Sequence, residues 1–429
     1  MKKNYFQDYI CIDNKYYLHI NFMAMSFLLL DEQAHNLYTR ENNVKIIKNK
    51  NLKLYKKLKS LEFLIEDNID EHSIVEMRRQ MELHDKSMYH LIINPTLDCN
   101  LSCWYCYENK KKGSKISAEI IGGIKKHIET SYNLSPYNRL NLSFFGGEPF
   151  MRFIAIKEIS SFAKIFCNDN KINLNIDFTT NGSLITKSEL MFLSDFKCTF
   201  QITLDGNKEQ HNKVKFSKDK NFDAYNATLR NVNQIQNLIK NSHVFLRINF
   251  DEQTLNSFDN ILCDIDSLDR QRTTVILKRI WQVGVNKVNK EQIIDVINKL
   301  FDNGFAIDYY TQGKLCFAER MNESVINYDG SVYKCTTITN FDEKNSYGKL
   351  DNNTGCIEWK QNKLAECTMN LRPKKCKSCK MYPSCYGPCN NHILAGQESC
   401  YIDGLDLSKE EYYTYLYKSR LQRIELYNI

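Results

Sequence analysis

The sequence predicts an α/β protein built on a partial barrel of six strand–helix units. A small α+β module precedes the barrel and a cysteine-rich segment follows it. Three observations carry this. Apolar strand runs alternate with helix-period stretches from about residue 90 to residue 302, and strand–helix units in series imply parallel strands with right-handed crossovers. The 16 cysteines are unevenly placed: three lie within Cys99–Cys106, and seven more lie in patterned spacing between Cys316 and Cys400. The 429 residues, 42% of them hydrophobic, suffice for one large barrel domain with smaller ones attached. The expected division is 1–88, 89–305 and 306–429.

From the N-terminus, Tyr16–Ile20 and Ala24–Leu30 are expected as strands, Leu52–Leu58 and Asp70–Leu83 as helices, and Leu61–Ile65 as an extended piece between them. That order suits a winged-helix-like binding module; a packing extension of the barrel is the alternative, and both readings stay open. Leu91-Ile92-Ile93 opens the barrel. A helix over Ser117–Tyr132 follows, with Ile120, Ile121, Ile124 and Ile128 on one face. Leu140–Phe145, Ile172–Phe178, Thr199–Leu204, Val244–Phe250 and Thr274–Ile280 are the other five strands. Helices are expected over Ile154–Phe166, over Thr186–Asp195 with a capping box of Thr186 and Glu189, and near 222–240, 254–266 and 289–302. Six units suggest a partial (β/α)6 barrel of the TIM type, whose chemistry sits on loops at the strands' C-terminal ends. Ser408–Tyr427 is expected as a closing helix, with Tyr412, Tyr415, Leu416 and Leu421 among its packing residues.

The formal charge of +7 is modest for this length and fits an acidic or peptide partner, not a nucleic-acid binder. The start, Met1-Lys2-Lys3-Asn4-Tyr5, leads into polar residues without the apolar core of a signal peptide. Phe22–Leu30 is too short to span a bilayer. A cytoplasmic chain with no membrane partner is expected, and there clustered cysteines bind metal rather than form disulfides. Isolated Cys11, Cys167, Cys198 and Cys263 read as small buried hydrophobes.

Chemistry concentrates in Cys99-Asn100-Leu101-Ser102-Cys103-Trp104-Tyr105-Cys106, directly after the first strand. Three thiolates suit three irons of a [4Fe–4S] cube and leave the fourth iron open. A structural zinc site wants a fourth Cys or His, and neither follows within the next several residues. This spacing, with the aromatic Tyr105 before the third cysteine, resembles the signature of the radical SAM superfamily. Phe145-Gly146-Gly147-Glu148-Pro149, after the second strand, is similar to the family's GGEP segment. Two glycines let the backbone approach a ligand closely. The resemblance implies that this segment meets the amino group of S-adenosylmethionine (SAM), with Glu148 as a further candidate partner. Thr180-Asn181-Gly182 and Thr203-Leu204-Asp205-Gly206 resemble segments that line the SAM pocket. Arg247, on the fifth strand, suits a two-bond grip on the SAM carboxylate, or alternatively a structural ion pair. The resemblance covers about residues 90 to 285. It implies that a cluster held by Cys99, Cys103 and Cys106 cleaves SAM reductively, giving methionine and a 5′-deoxyadenosyl radical that takes a substrate hydrogen. The protein would position these groups and exclude water.

At the far end, Cys376, Cys379, Cys385 and Cys389 have spacings of two, five and three residues, and Cys400 follows after ten more. Upstream, Cys316 precedes Gly330, and four residues separate Gly330 from Cys335. The array resembles the SPASM domain, which holds two auxiliary [4Fe–4S] clusters. Carried over by position, Cys376, Cys379, Cys385 and Cys400 would bind the outer cluster and Cys316, Cys335 and Cys389 the inner one. The inner cluster's remaining iron would be left to Cys356, Cys367, water or a substrate thiolate. Lys374, Lys375, Lys377 and Lys380 read chiefly as a solvated basic surface.

SPASM proteins of this kind mostly modify peptides or proteins. Sulfatase-maturing members carry an Asp directly after the cysteine corresponding to Cys335, where this chain has Thr336. The resemblance therefore implies a peptide maturase that installs a thioether, a carbon–carbon crosslink or a related modification. Its expected partners are a precursor peptide with a leader and a reducing donor such as flavodoxin or ferredoxin. The alternatives are a sulfatase-maturing enzyme that forms formylglycine, and an inactive homologue that only binds a peptide.

Overall fold

Six runs of β-branched, leucine and aromatic residues form the parallel strands of the computed structural model, which describes residues 1–13, 15–219, 221–280, 288–309, 315–368, 371–396, 400 and 406–427. They are β1 (Met88–Asn94), β2 (Arg139–Phe144), β3 (Asn173–Thr180), β4 (Cys198–Leu204), β5 (Ser242–Phe250) and β6 (Thr273–Arg279). Two shorter parallel strands flank them, β7 (Ala306–Asp308) beside β6 and β8 (Glu323–Asn327) beside β1. The order is β7-β6-β5-β4-β3-β2-β1-β8, and three antiparallel strands, Ser331–Tyr333, Gly348–Leu350 and Ile357–Trp359, continue beyond β8. This is the sheet of a partial barrel. All six expected strands are present. Sequence reasoning missed β7 because three residues carry no periodic signal. It missed β8 because that strand lies between Cys316 and Cys335, in a stretch the cysteines assign to the C-terminal segment.

Contacts divide the chain into two units. Asp85–Tyr310, Arg320–Cys367 and Gln422–Ile429 form the barrel unit, and Met1–His84, Thr311–Glu319 and Thr368–Leu421 form the other. These groupings do not follow 1–88, 89–305 and 306–429 one for one.

In the barrel unit, alternate strand residues such as Leu91, Ile93, Leu142, Ile176, Phe178, Ile202 and Leu246 are buried. The helices α1 (Ala118–Leu134), α2 (Phe153–Asp169), α3 (Lys187–Leu193) and α4 (Ala224–Leu238) follow the first four strands. Ile120, Ile121, Ile124 and Ile128 are all buried on α1. The capping box of α3 is complete: Glu189 N donates to Thr186 Oγ1 and Thr186 N donates to Glu189 Oε2. The helix expected at 254–266 is two, Glu252–Asn256 and Phe258–Ile265, because Ser257 leaves helical geometry between them. No helix among the described residues is long and apolar enough to cross a membrane.

The other unit opens with a three-stranded antiparallel sheet, Gln7–Cys11, Tyr16–Asn21 and Ser26–Asp31. Helices Glu32–Arg40, Val44–Lys50 and Leu52–Ser60 follow, then Leu64–Ile65 paired with Lys2–Lys3, then helix Glu71–Leu83. The side chains of Asp31, Asn43, Asn51 and Asp70 accept from backbone N–H groups at these helix starts, satisfying donors that the helix leaves open. Cys376, Tyr382 and Tyr386 pack with Phe6, Val75 and Leu83. Buried Glu319 accepts from Arg79 at 3.2 Å and Arg372 at 2.5 Å, so one carboxylate bridges two buried guanidiniums. Helix Lys409–Tyr427 buries Tyr412, Tyr415 and Leu416, but Leu421 is 47% exposed. Five positions beyond Leu416 turn it about 140° off the packed face. Cys167 and Cys198 are buried as expected. Cys11 and Cys263 are exposed, because Cys11 ends an edge strand and Cys263 lies on a helix whose inner face is Phe258, Ile261 and Ile265.

Candidate active site

The loop after β1 is laced by its own small polar residues. Thr96 Oγ1 donates to Ser114 O at 2.7 Å, Gly113 N donates to Asp98 Oδ2 at 2.8 Å, and Cys99 N donates to Asp98 Oδ1 at 2.9 Å. Within it, Leu101–Cys103 forms a short antiparallel clasp with Lys215–Ser217, which sets Lys215 opposite Cys103. Cys99, Cys103 and Cys106 all line one cavity at the C-terminal ends of the strands, with about 950 Å³ of empty space, its open mouth included.

Gly146 and Gly147 also line that cavity. A Cβ on Gly146, whose φ is 103°, would sit 2.2 Å from Thr96 O, and one on Gly147 would sit 2.2 Å from Asp98 O. Their bareness therefore serves first to dock this turn against the cysteine loop, through Gly147 N to Thr96 O at 3.1 Å and Glu148 N to Asp98 O at 2.9 Å. Glu148, expected as a SAM contact, is placed behind the wall. It is fully buried and accepts from Thr180 Oγ1, Asn181 N and Phe150 N. Burial raises its pKa, offset by these donors. Pro149 starts a short 3-10 turn and does not line the cavity either.

Thr180, Asn181, Thr203 and Arg247 line the cavity. Asn181 Nδ2 donates to Asn100 Oδ1 at 2.9 Å, and Arg247 Nε donates to Asn249 Oδ1 at 2.9 Å. Tyr105 also lines it, and its hydroxyl donates to Asp205 at 2.5 Å and accepts from Asn249 Nδ2 at 3.1 Å. Asp205, 1% exposed, sits behind the wall with Lys215 3.5 Å away. Sequence reasoning missed Gln201, Asn249, Lys110, Lys215, Glu108 and Arg279, all of which line the cavity. Strand alternation is a signal for two of them, since Gln201 lies two residues before Thr203 and Asn249 two after Arg247.

Burial raises all three thiol pKa values, that of Cys103 to about 12, against the pull of Lys215 and Lys110. Burial also raises Glu108 to about 7. Among the described residues no three His, Cys, Asp or Glu side chains converge as ligands of a single metal ion would. The three thiols line one wall region, with no fourth Cys and no His among the lining residues. That donor set fits a three-thiolate iron–sulfur cube.

The cysteine-rich end is more divided. Cys376, Cys379, Cys385 and Cys400 share one unit. Burial raises Cys376, and the charges of Cys400 and Cys379 add to it. Burial likewise raises Cys385 to about 11, with Cys400, Cys376 and Cys379 contributing. These four thiols are thus close enough to sense one another. Tyr386, after Cys385, turns the chain with φ 54°. Cys316 and Cys389 belong to this unit and Cys335 to the barrel unit. Cys356 is exposed, and the side chain of Cys367 lies outside the described residues.

Residues 93–262 match the family described as the Radical SAM superfamily. The chain carries a radical SAM domain. Such domains bind SAM and a [4Fe–4S] cluster, in agreement with the donor set above. An uncharacterized protein of Methanocaldococcus jannaschii is 34% identical over 121 residues, 28% of this chain and 39% of the relative. A cysteine-type anaerobic sulfatase-maturating enzyme of Clostridium novyi is 24% identical over 72% of this chain and 89% of its own length. The radical SAM cyclopropyl synthase TigE of Paramaledivibacter caminithermalis is 21% identical over 70% of this chain and 64% of its own. In fold, the chain is similar to native anSMEcpe with bound AdoMet, with a TM-score of 0.56 at 18% identity over 80% of this chain and 98% of that one. It is also similar to Streptococcus suis SuiB bound to precursor peptide SuiA, with a TM-score of 0.50 at 15% identity over 92% and 96%.

Proposed function

We propose that this chain matures a ribosomally made precursor peptide, installing a thioether or carbon–carbon crosslink or a related modification. The observation that carries this is Thr336 directly after Cys335. A threonine hydroxyl cannot take up a substrate proton as the Asp of the sulfatase-maturing pattern does. Thr336 is buried, and its carbonyl accepts from Tyr107 at 3.4 Å. The likeness to TigE and to peptide-bound SuiB supports the same reading.

Cys99, Cys103 and Cys106 would hold the catalytic cluster, and Arg247 would take the SAM carboxylate. Bound there, cluster and SAM would supply the radical chemistry for taking a hydrogen from the substrate. Tyr105, Asp205 and Asn249 fix one cavity wall through their hydrogen bonds. Cys376, Cys379, Cys385 and Cys400 would hold an outer auxiliary cluster and Cys316, Cys335 and Cys389 an inner one. Residues 1–88 would bind the leader, and a flavodoxin or ferredoxin in the cytoplasm would supply electrons.

Sulfatase maturation is the second reading, favoured by the long alignment to the Clostridium novyi enzyme. The test is anaerobic incubation of the iron-loaded chain with SAM, reductant and each short peptide found to be encoded beside its gene. Crosslinking removes two hydrogens from the peptide and releases 5′-deoxyadenosine. Active SAM cleavage with an unchanged peptide mass refutes peptide maturation, and formylglycine in a sulfatase-derived peptide establishes the second reading. No 5′-deoxyadenosine from fully loaded protein leaves only a binding role.

A further inference from the structure

Lys110 belongs to none of the motifs above, yet the fold delivers it to the cysteine loop. Its neighbours are anchored, with Asn109 N donating to Thr339 O at 2.9 Å and Lys111 N donating to Leu97 O at 3.2 Å. Its ammonium donates to the carbonyl of Leu101, which lies between Cys99 and Cys103. It lines the same cavity as all three thiols. Among the described residues it forms no ion pair, whereas Lys215 has Asp205 3.5 Å away to cancel its charge.

We propose that Lys110 is a positioning residue for the catalytic cluster: its ammonium, pinned on the Leu101 carbonyl, raises the cluster's reduction potential. This rests on the assignment of Cys99, Cys103 and Cys106 as cluster ligands. A cube held by three thiolates carries net negative charge, and accepting one electron adds another unit. A fixed cation in the wall of the same cavity therefore favours the reduced form over the oxidised one. Arg247 and Arg279 line the same cavity from strands β5 and β6, whereas Lys110 is bonded to the backbone of the thiol loop itself. The bond to Leu101 does two things, since it holds the charge in place and braces the loop. The experiment has to separate them.

Lys110→Gln keeps an N–H donor for Leu101 and removes the charge; Lys110→Arg keeps the charge. Both variants and the parent, full length and anaerobically loaded, are titrated with dithionite and mediators while the reduced cluster is followed by electron paramagnetic resonance. The catalytic cluster's signal is told from those of the two auxiliary clusters by its change when SAM is added. At a fixed potential, K110Q is expected to hold about tenfold less reduced cluster relative to oxidised, which is ~59 mV for a one-electron couple. K110R is expected to stay within about twofold of the parent, since it restores the charge. A fully loaded K110Q with the parent's midpoint overturns the proposal. If K110Q does not load, rescue of both loading and midpoint by K110R sustains the proposal, and failure of K110R as well overturns it in favour of packing alone. A parent that takes up no cluster would instead sink the ligand assignment, a separate result visible in its iron and sulfide content.

Discussion

Replacing Gly147 with alanine places a methyl group where the cysteine loop's backbone already stands. The new Cβ would lie 2.2 Å from Asp98 O, 2.6 Å from Asp98 C and 2.8 Å from Leu97 C, and all three are main-chain atoms with no side-chain torsion to relieve them. Reaching ordinary contact needs the loop to retreat by roughly 1 Å, which stretches the bonds from Gly147 N to Thr96 O and from Glu148 N to Asp98 O. Overpacking of this kind costs about 1–3 kcal/mol. The displaced segment carries Cys99, and a misplacement of about 1 Å in reacting groups costs ~100-fold in rate. The expected outcome is a modest fall in thermal midpoint with a fall of about two orders of magnitude in 5′-deoxyadenosine formed per loaded cluster. Gly122→Ala is the control. That helix position has nothing within 4 Å of an added Cβ, so alanine should be neutral or stabilise by up to about 1 kcal/mol. A loaded G147A enzyme with the parent's melting point and turnover would refute the reasoning, because it would show that the loop does not depend on this contact for its position.

Changing Cys99, Cys103 or Cys106 singly to alanine should abolish 5′-deoxyadenosine formation and lower iron content by about one cluster, read by iron and sulfide analysis. Glu319→Gln leaves the buried Arg79 and Arg372 without their shared anion, and should destabilise that unit by about 3–5 kcal/mol, seen as earlier thermal unfolding. Glu323 is buried 3.0 Å from Lys334, and burial raises its pKa from 4.5 to about 7. The folded state then holds a proton that the unfolded state has released, so this contribution to stability is full below about pH 4.5 and is lost as pH rises to about 7. Glu323→Gln should flatten that part of the melting-point profile.

The barrel was legible because its strands bury one face under amphipathic helices, and both periodicities stand in the sequence, as at Leu140–Phe145 and Ile120–Ile128. The module over 1–84 was read only in part. Gln7–Cys11 buries one residue, Ile10, and so shows no alternation, and the lysine-rich helix Val44–Lys50 shows little but its Asn43 cap. In the site, the cysteines were visible through spacing, and Thr180, Asn181, Thr203 and Arg247 through motif or strand position. Lys215 arrives by a three-residue pairing with a segment far back in the chain, and Lys110 by tertiary bonds of its neighbours to Leu97 and Thr339. Neither leaves a local pattern. Glu148 is the opposite case: its motif was recognised, but only the packing reveals that its carboxylate ties Thr180 and Asn181 together.

The clasp between Leu101–Cys103 and Lys215–Ser217 also bears on biogenesis. A nascent chain emerges N-terminus first at about 5–20 residues per second, so the loop's thiols leave the ribosome on the order of ten seconds before the segment that pins them. During that interval they are exposed to oxidants and to stray zinc without their folded frame. Iron is therefore best delivered after release of the first half of the chain, and overexpression that outruns iron supply should yield protein that is correctly folded but mis-metallated at this loop.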